Sequence, residues 1–112
     1  MANSYGSLTV RAETAGAYPI EGALVRVRGA DEENFEYARS FITDKDGMTE
    51  KIYVPTPPKG LSSAPNTAMK PYSIYDIEIV ADGYLPQRIS GLTVFPGINS
   101  IQIIGLVPEE IN

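Results

Sequence analysis

The 112-residue chain contains no histidine, no cysteine and no tryptophan. The missing histidine removes the commonest general base and the commonest metal ligand together, so no catalytic, cofactor-binding or metal-ligating residue is expected. The missing cysteine excludes disulfides and leaves the redox compartment open, because a cysteine-free domain suits cytosol and exterior equally. Positive charge is scarce: nine Lys and Arg stand against fourteen Asp and Glu, a net charge of -5. The basic residues are also scattered, whereas nucleic-acid binding needs a clustered basic face to neutralise phosphates. Neither nucleic acid nor an anionic membrane surface is therefore expected as a partner. No run approaches the ~18 to 20 apolar residues of a spanning helix, so membrane insertion is not expected. Residues Met1 to Gly6 lack the basic-then-apolar pattern of a secretory signal. Localisation is left open.

What the chain does have is a hydrophobic content of 43% in a length that suits one domain. A chain of this size can bury ~65% of its unfolded surface, enough for a two-layer core. The apolar residues recur with a period of two. Leu8, Val10 and Ala12 alternate with Thr9, Arg11 and Glu13, which predicts a half-buried strand over residues 7–13. Gly16 and Pro19 mark a turn, and Ala23, Val25 and Val27 predict a second strand returning antiparallel to the first by a short connection. A third strand is predicted over residues 35–43 from its aromatic and branched residues. The sequence Asp44-Lys45-Asp46-Gly47 supplies the positive φ of a tight hairpin, leading to a fourth strand over residues 48–54.

Pro55, Pro57, Pro58, Pro65 and Pro71 then break the pattern and predict a long loop over residues 55–71. Loops of this length inside a compact domain are commonly functional. Residues 72–81 form the strongest strand pattern, with Tyr75, Ile77 and Ile79 on one face, and Asp82-Gly83 turns it. Two short extended pieces, 84–90 and 92–95, flank Gly91, where a bulge or strand switch is expected. Pro96 to Asn99 is a last turn, and Ile101, Ile103 and Val107 are expected to close the domain as a final strand. Nothing has a helical period and no internal repeat is visible, which excludes a solenoid or propeller. Seven or eight short strands with regular turn signals predict one all-β domain over residues 1–112, an antiparallel Greek-key β-sandwich of transthyretin-like or immunoglobulin-like form.

Each constellation with possible chemistry has a simpler reading. Asp44, Asp46 and Gly47 resemble the start of a calcium loop, but an EF-hand wants its glycine at position six and a glutamate at twelve; a plain turn accounts for them. Asp31, Glu32, Glu33 and Glu36 read as solvated loop charge. Paired carboxylates can hydrolyse glycosides when one is held protonated, yet no acid here sits in a setting that predicts a raised pKa. Ser62 or Ser63 with Lys59 lacks the packing that would desolvate a lysine. Tyrosine can stack on sugars or anchor a protein interface at low entropic cost. Tyr72, Tyr75 and Tyr84 are accordingly candidate interaction residues, although the simpler reading makes Tyr75 and Tyr84 core packing residues and has Tyr72 pin the long loop. Tyr5 in the N-terminal arm, and Lys59 and Asn66 in the long loop, complete the candidate set.

The order of motifs resembles a known group. Gly6-Ser7-Leu8-Thr9-Val10, then Tyr18-Pro19-Ile20-Glu21-Gly22-Ala23, Thr43-Asp44-Lys45-Asp46-Gly47, and Tyr75-Asp76-Ile77-Glu78-Ile79 through Asp82-Gly83-Tyr84 resemble carboxypeptidase-regulatory-like and collagen-adhesin B-type modules. Pro71-Tyr72-Ser73-Ile74-Tyr75-Asp76-Ile77, Ile89-Ser90-Gly91-Leu92-Thr93-Val94-Phe95 and Leu106-Val107-Pro108 are similar to the transthyretin-like, non-catalytic N-terminal domain of clostridial spore cortex-lytic enzymes. The resemblance implies a noncatalytic scaffold in a Firmicute spore or cell-envelope setting. Two departures narrow it: hydroxyisourate hydrolases among transthyretin relatives depend on histidines, which this chain lacks, and the Lys to Asn isopeptide bond of collagen-adhesin modules needs a first-strand Lys where this chain offers only Arg11.

Open sheet edges present unpaired N–H and C=O groups to which another chain can add a strand. The leading expectation is therefore a non-enzymatic structural or protein-interaction module that self-assembles, as a homo-oligomer or filament, through sheet edges and terminal arms. The alternative is a binding module for cell-wall glycan or peptide, built on Tyr72 and the long loop.

Overall fold

The computed structural model describes residues 4–32, 34–57 and 71–110. Seven strands form two sheets, and no helix occurs among the described residues. The strands are β1 (Ser4–Glu13), β2 (Leu24–Gly29), β3 (Ala38–Ile42), β4 (Ile52–Thr56), β5 (Ser73–Val80), β6 (Gln87–Val94) and β7 (Asn99–Gly105). One sheet has the order β4-β1-β7 and the other β3-β2-β5-β6. The expected β-sandwich is present.

The core lies between the sheets and follows the period of two. Leu8, Val10 and Ala12 of β1, Ile52 and Val54 of β4, Val25 and Val27 of β2, and Tyr75, Ile77 and Ile79 of β5 are all buried. Burying each of the larger side chains contributes about 1.5–3 kcal/mol. Alternation along β5 gives the most regular buried face in the chain, as its sequence pattern requires.

The connectivity departs from the expected one in several places. β1 and β2 do not pair: β1 lies between β4 (antiparallel) and β7 (parallel), while β2 lies between β3 and β5. The residues from Gly16 to Gly22 carry the chain from one sheet to the other, because both strands have an apolar face that must meet across the core. The sandwich is thus antiparallel except for the β1/β7 pair. The turn at Asp44–Gly47 forms as expected, closed by Gly47 N–H on the Asp44 carbonyl and Asp44 N–H on the Met48 carbonyl. It is not a hairpin between paired strands, since β3 and β4 belong to different sheets. Gly47 has φ +75°, and a Cβ there would lie 2.6 Å from the Ala12 carbonyl oxygen, so the turn tolerates no side chain.

The ends of the elements also shift. β3 begins only at Ala38, after a turn that leaves Phe35 exposed. β4 runs through Pro55, so the long loop begins later than proline content indicated. Pro is compatible with a strand when the strand is at an edge, and β4 is one. Met48 makes only an isolated bridge to Arg11. Around Gly91 the expected bulge is present, as a register shift between Tyr75 and Ile77 within one continuous β6. Gly91 has φ +76° and its N–H donates to Asp76 Oδ1 at 3.0 Å.

The expected final strand is present and ends at Gly105, before Val107. Ile104 and Leu106 are its contribution to the core, while Ile101, Ile103 and Val107 are 60%, 62% and 50% exposed. The register with β1 explains it. Ala12 faces the core and lies opposite Ile104, whereas Arg11, on the outer face, lies opposite Ile103.

Candidate functional site

The four edge strands are β4 and β7 of one sheet and β3 and β6 of the other. Edges invite pairing by other chains unless charge, proline or a bulge blunts them. β4 carries Pro55 and is preceded by Glu50 and Lys51, β3 carries Arg39, and β6 carries Arg88 and the Gly91 bulge. β7, with the sequence Asn99-Ser-Ile-Gln-Ile-Ile-Gly, has none of these devices between Asn99 and Gly105; just beyond it the outer side is taken, with Leu85 N–H donating to the Val107 carbonyl at 2.8 Å and Glu109 N–H to the Gly83 carbonyl at 2.9 Å. Residues 89–108 contain no charged side chain at all.

Two hydrogen bonds fix which backbone groups of β7 face away from β1 and have no strand beside them among the described residues. Ser7 N–H donates to the Ile98 carbonyl at 3.0 Å, and Leu106 N–H to the Glu13 carbonyl at 2.9 Å. In a parallel pair the bonding residues alternate, so between these two points residues 100, 102 and 104 bond to β1. Asn99, Ile101, Ile103 and Gly105 turn their N–H and C=O groups to the open side. The side chains of Asn99, Ile101 and Ile103 also lie on the exposed face, while Ser100 and Gln102 point inward and are half-buried and Ile104 is buried. The middle of β7 therefore turns Ile101 and Ile103 outward and Gln102 inward, while Ile104 faces the core in the usual sense.

On the other side of the molecule β3 and β4 diverge after the Asp44–Gly47 turn. A cavity of about 500 Å³ lies there, lined by Tyr5, Tyr37, Phe41 and Tyr53, with Arg39, Lys51 and Glu50 among its other walls. Tyr37 is held in place: its hydroxyl donates to the Tyr53 carbonyl at 3.2 Å, its ring packs edge-on against Tyr75 at 5.6 Å, and the Arg39 guanidinium lies 5.6 Å from its centre. Burial pushes the Tyr37 phenol above its ordinary value, with Arg39 opposing. Tyr75 is wholly buried and its hydroxyl donates to the Pro55 carbonyl. Burial drives its pKa up to about 12.

The candidate residues thus separate. Tyr5 lines the cleft and is 58% exposed. Tyr75 is a core residue, and Tyr84 packs partly buried against the core. Tyr72 stands apart from the cleft lining, with its ring 5.4 Å from Phe95. Lys59 and Asn66 lie outside the described residues. Sequence reasoning missed Tyr37, Tyr53 and the β7 edge. The length of the uncharged stretch was the available signal for the last.

Several acidic residues serve the fold. Asp44 Oδ1 accepts the N–H groups of Asp46 and Met48 at 2.9 and 3.1 Å. Asp31, expected to be solvated loop charge, accepts the Ile74 N–H at 2.9 Å, and the buried Asn34 bonds both to Asp31 N–H and to the Ile74 carbonyl. Together they tie the loop after β2 to the start of β5.

No family model matches the sequence, and no curated protein matches it. Solved structures do share its form. Part of the Bacillus anthracis TIE protein superposes with a TM-score of 0.62 at 16% identity, over 94% of this chain and 17% of that one. The 3-chlorocatechol 1,2-dioxygenase of Rhodococcus opacus 1CP gives 0.65 at 13% identity, over 96% of this chain and 61% of the enzyme. The catechol 1,2-dioxygenase of Acinetobacter sp. ADP1 gives 0.63 at 14%, over 100% and 57%. The chain spans less than two thirds of each of these proteins, and what it shares with them is the β-sandwich.

Proposed function

We propose that the chain is a non-enzymatic protein-interaction module that accepts an extended strand at the open edge of β7. The observation that carries this reading is the contrast among the four edges: three carry charge, proline or a bulge, and β7 carries none of these from Asn99 to Gly105. Strand addition uses main-chain hydrogen bonds for affinity and alternate side chains for specificity. The outward N–H and C=O groups of Asn99, Ile101, Ile103 and Gly105 offer the first, and the exposed Ile101 and Ile103 the second. The absence of histidine and cysteine from the sequence supports a non-catalytic role. At 13–14% identity the dioxygenase structures support the fold and not their activity for this chain. A bacterial spore or envelope setting, and a transthyretin-like ancestry, are proposed on the motif resemblance alone.

A peptide with the sequence of residues 98–107 is a suitable probe. It is expected to bind the folded chain and to slow amide exchange at Ile101 and Ile103. Binding without protection there would contradict strand addition at β7.

A second reading is favoured by the cleft between β3 and β4, whose volume and four aromatic rings suit a glycan or peptide segment. It moves the alternative from Tyr72 to Tyr5, Tyr37 and Tyr53. Tyr53→Ala, at a side chain 62% exposed, would abolish retention on peptidoglycan under this reading and leave peptide capture at β7 unchanged.

A further inference from the structure

We infer that the strand taken up by β7 is β7 of a second copy, in an antiparallel pair whose twofold axis passes through Gln102. This rests on the proposed use of that edge and identifies its occupant. The geometry follows from the phase of the ladder. Antiparallel strands exchange both bonds between residues that each face the partner. The outward-facing residues are 99, 101, 103 and 105, and a twofold at Gln102 sets each against another outward-facing residue: Ile101 opposite Ile103 of the second copy, and Asn99 opposite Gly105. Every open backbone group of the strand is then satisfied by the same segment of another molecule. Such an isologous, self-complementary contact closes at two copies.

Self-complementarity selects a second copy, because the same four outward-facing residues answer one another across the axis, and charge confines the contact to this strand. The chain carries a net charge of -5, so two copies repel over most of their surfaces. The only long stretch free of charge is residues 89–108, and the proposed axis lies within it. No acid is set opposite an acid across the pair, because every residue of β7 is neutral. The axis runs perpendicular to the sheet, so exposed faces remain exposed and the two β4-β1-β7 sheets become one of six strands. Ile101 and Ile103 of both copies then form a cluster of four branched side chains on its outer face, the cross-strand pairing that stabilises antiparallel sheets. The outward placement of Ile101 and Ile103 is accounted for on the same basis.

The ladder phase also supplies a selective test. The Ile103 N–H faces the open edge, so Ile103→Pro removes a donor needed by the partner and none used by β1, the way β4 carries Pro55. Ile103→Lys places a charge in the neutral segment at a side chain 62% exposed. Sedimentation equilibrium of the full chain is expected to show a species of twice the 12.1 kDa chain mass. Both variants are expected to keep the far-ultraviolet circular dichroism of the parent and to weaken dimerisation by at least about tenfold, the loss of one or more hydrogen-bonded cross-strand pairs. Tyr53→Ala, on the opposite side, should leave it unchanged. A dimer that persists in both β7 variants overturns the inference. A parent chain that stays monomeric to millimolar concentration also overturns it. If that monomer still captures the 98–107 peptide on β7, the edge reading stands and only the identity of its occupant fails; if it captures none, both fail.

Discussion

Replacing Tyr75 by phenylalanine should destabilise the protein at neutral pH and stabilise it in strong alkali. The Tyr75 side chain is fully buried between the sheets, and its hydroxyl donates to the carbonyl of Pro55 on β4. Removing the hydroxyl leaves the ring packing intact and costs the net worth of one hydrogen bond, about 1 kcal/mol. Alkali adds a second effect. The phenol has a folded pKa pushed up to about 12 from an ordinary value of 10.0. Between those values the unfolded chain has lost a proton that the folded chain retains, so stability falls as pH rises. The slope is about 1.4 kcal/mol per pH unit, so by pH 11.5 tyrosine has cost the parent about 2 kcal/mol that phenylalanine does not. The difference between parent and Tyr75→Phe should therefore change sign, from about 1 kcal/mol in favour of the parent at pH 8 to about 1 kcal/mol in favour of the variant at pH 11.5. Tyr37, also raised by burial, is present in both and cancels to first order. Urea unfolding followed by far-ultraviolet circular dichroism measures the gap without relying on tyrosine emission. A gap that stays constant from pH 8 to 11.5 would refute the assignment of Tyr75 as a desolvated phenol.

Other substitutions test how the turns and sheets are joined. Gly91→Ala and Gly47→Ala both force a side chain into positive φ, but a Cβ at Gly91 meets nothing while one at Gly47 strikes the Ala12 carbonyl. Urea midpoints should show a loss of about 1 kcal/mol for the first and at least about 2–3 kcal/mol for the second, the excess being steric. Thr43 is buried, with its Oγ1 accepting the Ala23 N–H at 2.9 Å and donating to the Ile20 carbonyl at 2.7 Å. Thr43→Val should cost about 2–3 kcal/mol in the same assay by leaving two buried backbone groups without partners, and Thr43→Ser should recover much of that loss.

The strands of this protein were legible in its sequence where a strand is half-buried and its alternation has a single phase. Leu8, Val10 and Ala12, and Tyr75, Ile77 and Ile79, face the core as their spacing demands. The bulge at Gly91 was legible because an isolated glycine inside a strand has few other uses. Connectivity was not. Alternation says that a strand has an apolar face, but not which sheet supplies its neighbours, so β1 and β2 were set side by side when they lie across the core. In β7 the spacing supports two phases, Ile101 with Ile103 or Ile104 with Leu106, and only the register with β1 decides between them. The cleft was hidden for a related reason. Tyr5, Tyr37 and Tyr53 are far apart in sequence and meet only because β3 and β4 diverge into different sheets.

Amide hydrogen exchange of β7, resolved by residue and measured at low and high protein concentration, tests the edge directly. In dilute solution Gln102 and Ile104, bonded to β1, should exchange slowly, and Ile101 and Ile103, which face outward, should exchange fast. At concentrations where the chain associates, Ile101 and Ile103 should become protected while the edges of β3, β4 and β6 do not change. Fast exchange at Ile101 and Ile103 in the associated state, or new protection at another edge, would contradict the account.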